Sequence, residues 1–304
     1  MIRPRSIRVG DKIGIVGTGK KISRDGLVPA TTILTSWGLR VELASHLVTD
    51  EHSYFSSSDD HRRDDLQIMI DDPEIKAILC ARGGYGTTRI LDDLDFSALR
   101  ENPKWIVGFS DVTALHLKLL TFGIMSIHGT MPIFFSKETA ATSIQSLKNA
   151  LFEKGYSLST HSSDYNRHGV AEGMAIGGNL SLIVDSLATS SEPDFRGCIL
   201  IIEEVDEYLY KIDRLLTHLK RAGKLDHLHG LVIGHINGIQ DTTPAFGESI
   251  EEIVLDKVKG KSFPVAFNFP SGHDDPNLAW HHGSMLKLTV NNIGMTLEAL
   301  LSNS

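Results

Sequence analysis

The stretch 105–116 constrains this chain most. It reads Trp-Ile-Val-Gly-Phe-Ser-Asp-Val-Thr-Ala-Leu-His. A short apolar run of strand character breaks at Gly108 and presents Ser110. The chain then continues to Leu120 with apolar residues at helical spacing. That change of period calls for a strand, a sharp turn and a helix. Such a turn holds a serine hydroxyl clear of the backbone at the positive end of the new helix. Ser and Asp are also ordinary helix caps. Val112 stands where the second glycine of a G-x-S-x-G elbow would be. From this stretch alone, cap and nucleophile both remain open.

The flanking segments supply a scaffold for that turn. Residues 12–16, 41–44, 77–81, 105–109 and 124–128 read as strands, and 27–37 and 60–70 as helices. Strands alternating with helices at this spacing predict a parallel sheet covered on both faces. Ligands of such sheets sit beyond the carboxyl ends of the strands. The loop at Gly17, the run Arg82-Gly83-Gly84-Tyr85-Gly86, Ser110 and His128 all fall at those ends. Residues 14–20 also fit G-x-x-x-x-G-K. Lys21 replaces the Ser/Thr of a phosphate loop, and the strand overlaps the glycines, so a plain βα turn accounts better for them.

The polar stretch 156–172 has no periodic apolar face. It divides the chain into units 1–155 and 173–304, with 156–172 as linker. The second unit carries Gly177-Gly178-Asn179-Leu180, a buried strand over 197–202 running into Glu203-Glu204, and a helix over 208–222. Strands at 231–236 and 265–269, a turn-rich loop over 270–275 and a closing β-pair complete it.

Charge narrows the function classes. A net charge of −8 and a pI near 5.9 argue against nucleic acid as a partner. No apolar run reaches the ~18 residues that span a bilayer. Gly10, Asp11 and Lys12 stand where a signal peptide needs its apolar region. A cytoplasmic protein that binds no membrane is expected. Cys80 and Cys198 both lie in apolar runs and read as buried free thiols.

A serine attacks at neutral pH only if a base takes its proton, and a carboxylate usually orients that base. Of the fourteen histidines, His273 follows a strand, lies in a glycine-containing loop and fits no apolar period. A lone loop histidine is more often simply solvated. Glu203 ends a buried strand, where a carboxylate needs a partner or open water. Its neighbour Glu204 points to the opposite face. Backbone N–H groups of the glycine run 82–86 form half of an oxyanion hole, with the Asp111 N–H as the other half, or else a tight turn only. Adjacent His281 and His282 point opposite ways if extended. With His227 and His229 they give no metal-ligand pattern, so no metal is expected.

With these segments in order, the chain resembles the serine LD-carboxypeptidase family, which includes muramoyl-tetrapeptide carboxypeptidases and microcin-C-immunity peptidases. The resemblance runs over 12–288. It rests on 60–66 with 72–78, on Arg82–Gly86, and on Asn102-Pro103-Lys104 with Gly108–Leu115. Gly177–Leu180, 199–205 with Tyr210, Ile212, Asp213 and Arg214, and Gly272-His273 complete it. It implies a flavodoxin-like N-terminal parallel sheet flanked by helices and a smaller C-terminal mixed α/β domain. It implies a triad of Ser110, Glu203 and His273 at the domain junction, with the backbone of Gly84 and Asp111 as oxyanion hole. Arg82, Gly83, Tyr85 and Asn179 are the implied substrate-binding residues. It also implies a homodimer without cofactor that releases a C-terminal D-alanine from peptidoglycan tetrapeptides. The alternatives are an acyl-sulfamoyl-adenylate peptidase and a non-catalytic peptide-binding protein. Three loops depart from the family pattern: Gly17-Thr18-Gly19-Lys20, His128-Gly129-Thr130 and His281-His282.

Overall fold

A computed structural model describes residues 1–49, 53–153 and 155–300. The first half runs β1 (Lys12–Val16), α1 (Arg24–Ser36), β2 (Arg40–Leu43), α2 (Asp59–Asp71) and β3 (Ile75–Cys80). It continues α3 (Ala98–Glu101), β4 (Trp105–Gly108), α4 (Thr113–Thr121), β5 (Ser126–His128) and α5 (Ala141–Phe152). The second half runs β6 (Ser157–His161), β7 (Gly169–Asn179), α6 (Leu180–Asp185), β8 (Cys198–Val205), α7 (Leu209–Arg221) and β9 (Gly230–Asn237). It ends with α8 (Ile250–Lys257), β10 (Val265–Ala266), β11 (Trp280–His282), β12 (Met285–Val290) and β13 (Gly294–Ala299).

Two sheets result. The first has the order β2-β1-β3-β4-β5-β11. Its first five strands are parallel, and β11 joins β5 antiparallel. The strand order reverses direction between β1 and β3, which opens a crevice at their carboxyl ends. The second sheet has the order β10-β9-β8-β7-β12-β13-β6. It is parallel from β10 to β7 and antiparallel beyond.

Alternation along the strands explains why both sheets are covered on both faces. Ile13, Ile15, Ala77, Leu79 and Val107 enter one core, and Val16, Ile78, Cys80 and Ile106 the opposite one. In the second sheet Leu200 and Ile202 face one core while Ile199 and Ile201 face the other. β8 is therefore buried along nearly its whole length and apolar from Cys198 to Ile202, as a doubly covered parallel strand should be. Both cysteines are free and buried, and burial pushes each thiol up to about 12. No helix among the described residues is long and apolar enough to cross a membrane.

The stretch read as a linker belongs instead to the second sheet. Ser157–His161 is the edge strand β6, paired with β13, and β7 already begins at Gly169. β6 alternates exposed and half-buried positions because successive side chains point to opposite faces of the sheet and one face is solvated. Its polarity marks an edge and not a connection.

Candidate active site

Ser110 stands where β4 turns into α4. Phe109 is extended, and Ser110 follows at φ 62°, the left-handed region that a residue with a Cβ seldom enters. A single 3₁₀ turn, Ser110–Val112, then feeds α4. Phe109 occupies the cap position of that turn and no side-chain capping bond forms there; Ser110 is its first residue. The partner of the Ser110 hydroxyl is His273, whose Nε2 lies 2.9 Å from Oγ. The cap alternative is thereby removed for the side chain.

His273 is held from its other nitrogen. Nδ1 lies 2.7 Å from Oε2 of Glu203, a residue with 2% of its surface exposed. The close approach depends on Gly272, at φ 131°. A Cβ there would stand 3.0 Å from the Glu203 Cβ and 3.1 Å from its Oε2. The Phe109 ring meets the imidazole edge to face at 4.9 Å. Burial pulls the His273 pKa down, but the hydrogen bond and charge of Glu203 outweigh it and raise it above 6.5. Burial also lifts Glu203, against the pull of His273. With Nδ1–H directed at the carboxylate, Nε2 is free to accept the Ser110 hydroxyl proton.

The glycine run after β3 presses against the serine. A Cβ on Gly83 would lie 3.1 Å from the Ser110 Cβ and 3.3 Å from Oγ. Gly84 and Tyr85 are exposed at the rim, and the half-buried Arg82 donates to the Lys21 carbonyl at 3.1 Å. The N–H groups of Gly84 and Asp111 make none of the turn or loop backbone bonds found among the described residues. The Asp111 side chain is buried, and its Oδ2 accepts from Thr87 N–H at 2.9 Å and Thr87 Oγ1 at 2.7 Å. It thereby ties the glycine run to the serine turn.

Asn179 is the register partner of Glu203 where β7 runs beside β8. It is buried, caps α6 through its Oδ1 and donates from Nδ2 to Glu204 Oε1 at 2.7 Å. Glu204 also accepts from Ser181 N–H and Oγ, at 2.8 and 2.6 Å. Both polar ends of Asn179 are therefore used internally. In this structure the side chain supports the neighbouring carboxylate of Glu204. Two groups that the sequence reading did not single out are Thr87 and Arg62. Arg62 lies four residues before Leu66 and seven before Met69, on the buried stripe of α2, and that spacing was the available signal.

The paired histidines of β11 do diverge. His281 Nε2 lies 2.9 Å from the Ala150 carbonyl, and His282 Nε2 lies 2.7 Å from that of Gly177. Burial holds His281 near 4 and His282 near 3. Among the described residues no three His, Cys, Asp or Glu side chains group so as to hold a metal ion.

An imidazole set between a hydroxyl on a strained turn and a buried carboxylate performs the proton transfers of a serine hydrolase. Residues 13–129 match the model for the LD-carboxypeptidase N-terminal domain, and residues 172–288 that for the LD-carboxypeptidase C-terminal domain. The chain belongs to the serine LD-carboxypeptidase family. The probable murein peptide carboxypeptidase of Bacillus subtilis (strain 168) is 32% identical, over 99% of this chain and 95% of that protein. The crystal structure of muramoyltetrapeptide carboxypeptidase from Oxalobacter formigenes is similar with a TM-score of 0.88 and 27% identity. It covers 96% of this chain and 100% of that one. Microcin C7 self immunity protein MccF, solved with aspartyl sulfamoyl adenosine, shares the fold at 21% identity and a TM-score of 0.86, over 96% of this chain and 97% of its own.

Proposed function

We propose that the chain hydrolyses the amide before a C-terminal D-alanine of a peptidoglycan tetrapeptide, with Ser110, His273 and Glu203 as its catalytic triad. The observation that carries the reading is the placement of His273, 2.9 Å from Ser110 Oγ and 2.7 Å from Glu203 Oε2. Ser110 Oγ attacks the carbonyl carbon as its proton passes to His273 Nε2. The Gly84 and Asp111 N–H groups receive the developing oxyanion. His273 then returns the proton to the departing amine of D-alanine, leaving an acyl-serine. Water, deprotonated by the same nitrogen, releases the shortened peptide. Glu203 holds the imidazole and stabilises its cationic form. Arg82 at the rim meets the terminal carboxylate, with Gly83 and Tyr85 lining the approach. A cytoplasmic homodimer, implied by the resemblance, belongs to the same reading, and light scattering in solution tests the dimer.

The decisive assay compares wild type with Ser110→Ala on tetrapeptides ending in D- or L-alanine, with an acyl sulfamoyl adenylate alongside. Release of D-alanine by wild type alone, with equal melting temperatures, is expected. Turnover by the Ser110→Ala variant would overturn the serine mechanism. Preference for the adenylate would replace the substrate.

A further inference from the structure

We infer that Arg62 is a positioning residue that sets the oxyanion loop against Ser110; this rests on the function proposed above. Arg62 comes from α2, and its side chain is 1% exposed. One guanidinium nitrogen donates to two backbone carbonyls, that of Thr18 after β1 and that of Gly86 after β3, the latter at 3.0 Å. Its other terminal nitrogen bonds Asp59, and the guanidinium lies over the Phe55 ring at 4.8 Å. Asp59 is itself 37% exposed and is also engaged by Arg89. The charge is therefore sunk under the loops, and its carboxylate partner sits toward solvent.

A buried guanidinium is a costly way to add stability, because its desolvation offsets much of what it gains. Its placement gives it a different use. The run 82–86 contains three glycines, which leave a backbone poorly determined by itself. An oxyanion donor must stand about 3 Å from the oxygen it stabilises. Gly84 is fixed from both sides. The Gly83 carbonyl accepts from Lys20 N–H at 3.0 Å, and the Gly86 carbonyl accepts from Arg62. The loop containing Lys20 is in turn held by the same guanidinium at Thr18, and by the Thr87 to Thr18 hydroxyl bond at 3.0 Å. Space is matched as well, since a Cβ on Gly86 would meet the Arg62 nitrogen at 2.8 Å. Arg62 thus cross-ties the loops that diverge between β1 and β3, and acts on the serine only through them.

The test uses Arg62→Ala and Arg62→Lys beside wild type. The readouts are D-alanine release, the rate at which a fluorophosphonate probe labels Ser110, and thermal melting. Arg62→Ala is expected to lower kcat about 10- to 100-fold, with KM changed by less than about threefold, and to slow labelling in parallel. Millimolar guanidinium should restore part of both rates. Arg62→Lys keeps the charge without the planar fork and should fall between. Labelling needs no peptide, so it decides the role of Arg62 even if the tetrapeptide is not the substrate. The inference is overturned if folded variants label and turn over at wild-type rates. It is equally overturned if the losses match the unfolded fraction and guanidinium restores nothing. Should Arg62→Ala not fold, the labelling rate of Arg62→Lys decides.

Discussion

His273 Nδ1 lies 2.7 Å from Glu203 Oε2, and Glu203 is almost wholly enclosed at the end of β8. That contact sets the pH response. In the proposed mechanism His273 is the general base and works only when neutral, so kcat/KM should rise with pH through its raised pKa. Burial lowers the His273 pKa, and Glu203→Gln removes the strongest of the influences that raise it, leaving the more distant charges of Glu204 and Asp206. The acid limb should then move to lower pH, with a rate loss of about 100- to 10,000-fold. A pH profile of both proteins checks this; an unmoved limb contradicts it.

The backbone at Ser110 is strained at φ 62° for any residue with a Cβ. Of two variants lacking the hydroxyl, Ser110→Gly should be more stable than Ser110→Ala by about 0.5–1 kcal/mol. Urea midpoints measure the difference. Equal stability would mean that the turn carries no strain.

Gly83→Ala places a methyl 3.1 Å from the Ser110 Cβ and 3.4 Å from the Met131 Cε. Either the loop or the serine must give by a few tenths of an ångström. A fall in kcat of at least about tenfold is expected, with melting lowered by only a few degrees. Steady-state kinetics with parallel melting curves would detect a variant of full kcat, the contrary outcome.

Asn179→Ala removes the α6 cap and a donor to the buried Glu204. Stability should drop by about 1–3 kcal/mol while KM stays within about twofold. A large rise in KM at unchanged stability would return Asn179 to the substrate.

Arg82→Ala tests recognition of the terminal carboxylate. Loss of one charge-assisted bond should cost about 10- to 100-fold in kcat/KM, chiefly through KM. A peptide amidated at its C-terminus should be indifferent to the substitution, and equal losses on both peptides would exclude the role.

Much of this arrangement was legible because period and punctuation agree. The strand–serine–helix change at 105–116 places Ser110, and the apolar run before Glu203 places a carboxylate at a buried strand's lip. Which of the two glutamates meets His273 follows from alternation only once the partner's face is known. Other parts are not local properties. β11 is a three-residue strand whose tryptophan and histidines are buried by contacts from both halves, so no alternation marks it. The buried Arg62 sits in the charge run His61-Arg62-Arg63-Asp64-Asp65, which reads as solvated until its phase with Leu66, Met69 and Ile70 is drawn.

The strand β11 has a consequence for how the molecule comes into being. It completes the first sheet from the far end of the chain, against β5 beside the serine turn. During synthesis Ser110 is therefore made early, yet β5 keeps one side unpaired until residues 280–282 have emerged. His273 arrives only just before. A nascent chain halted before residue 273 holds Ser110 without its proposed base, and one halted before 280 leaves β5 unpaired on the side that β11 later takes. The arrival of His273 and the pairing of β5 with β11 are thus two closely spaced late events in the life of the polypeptide.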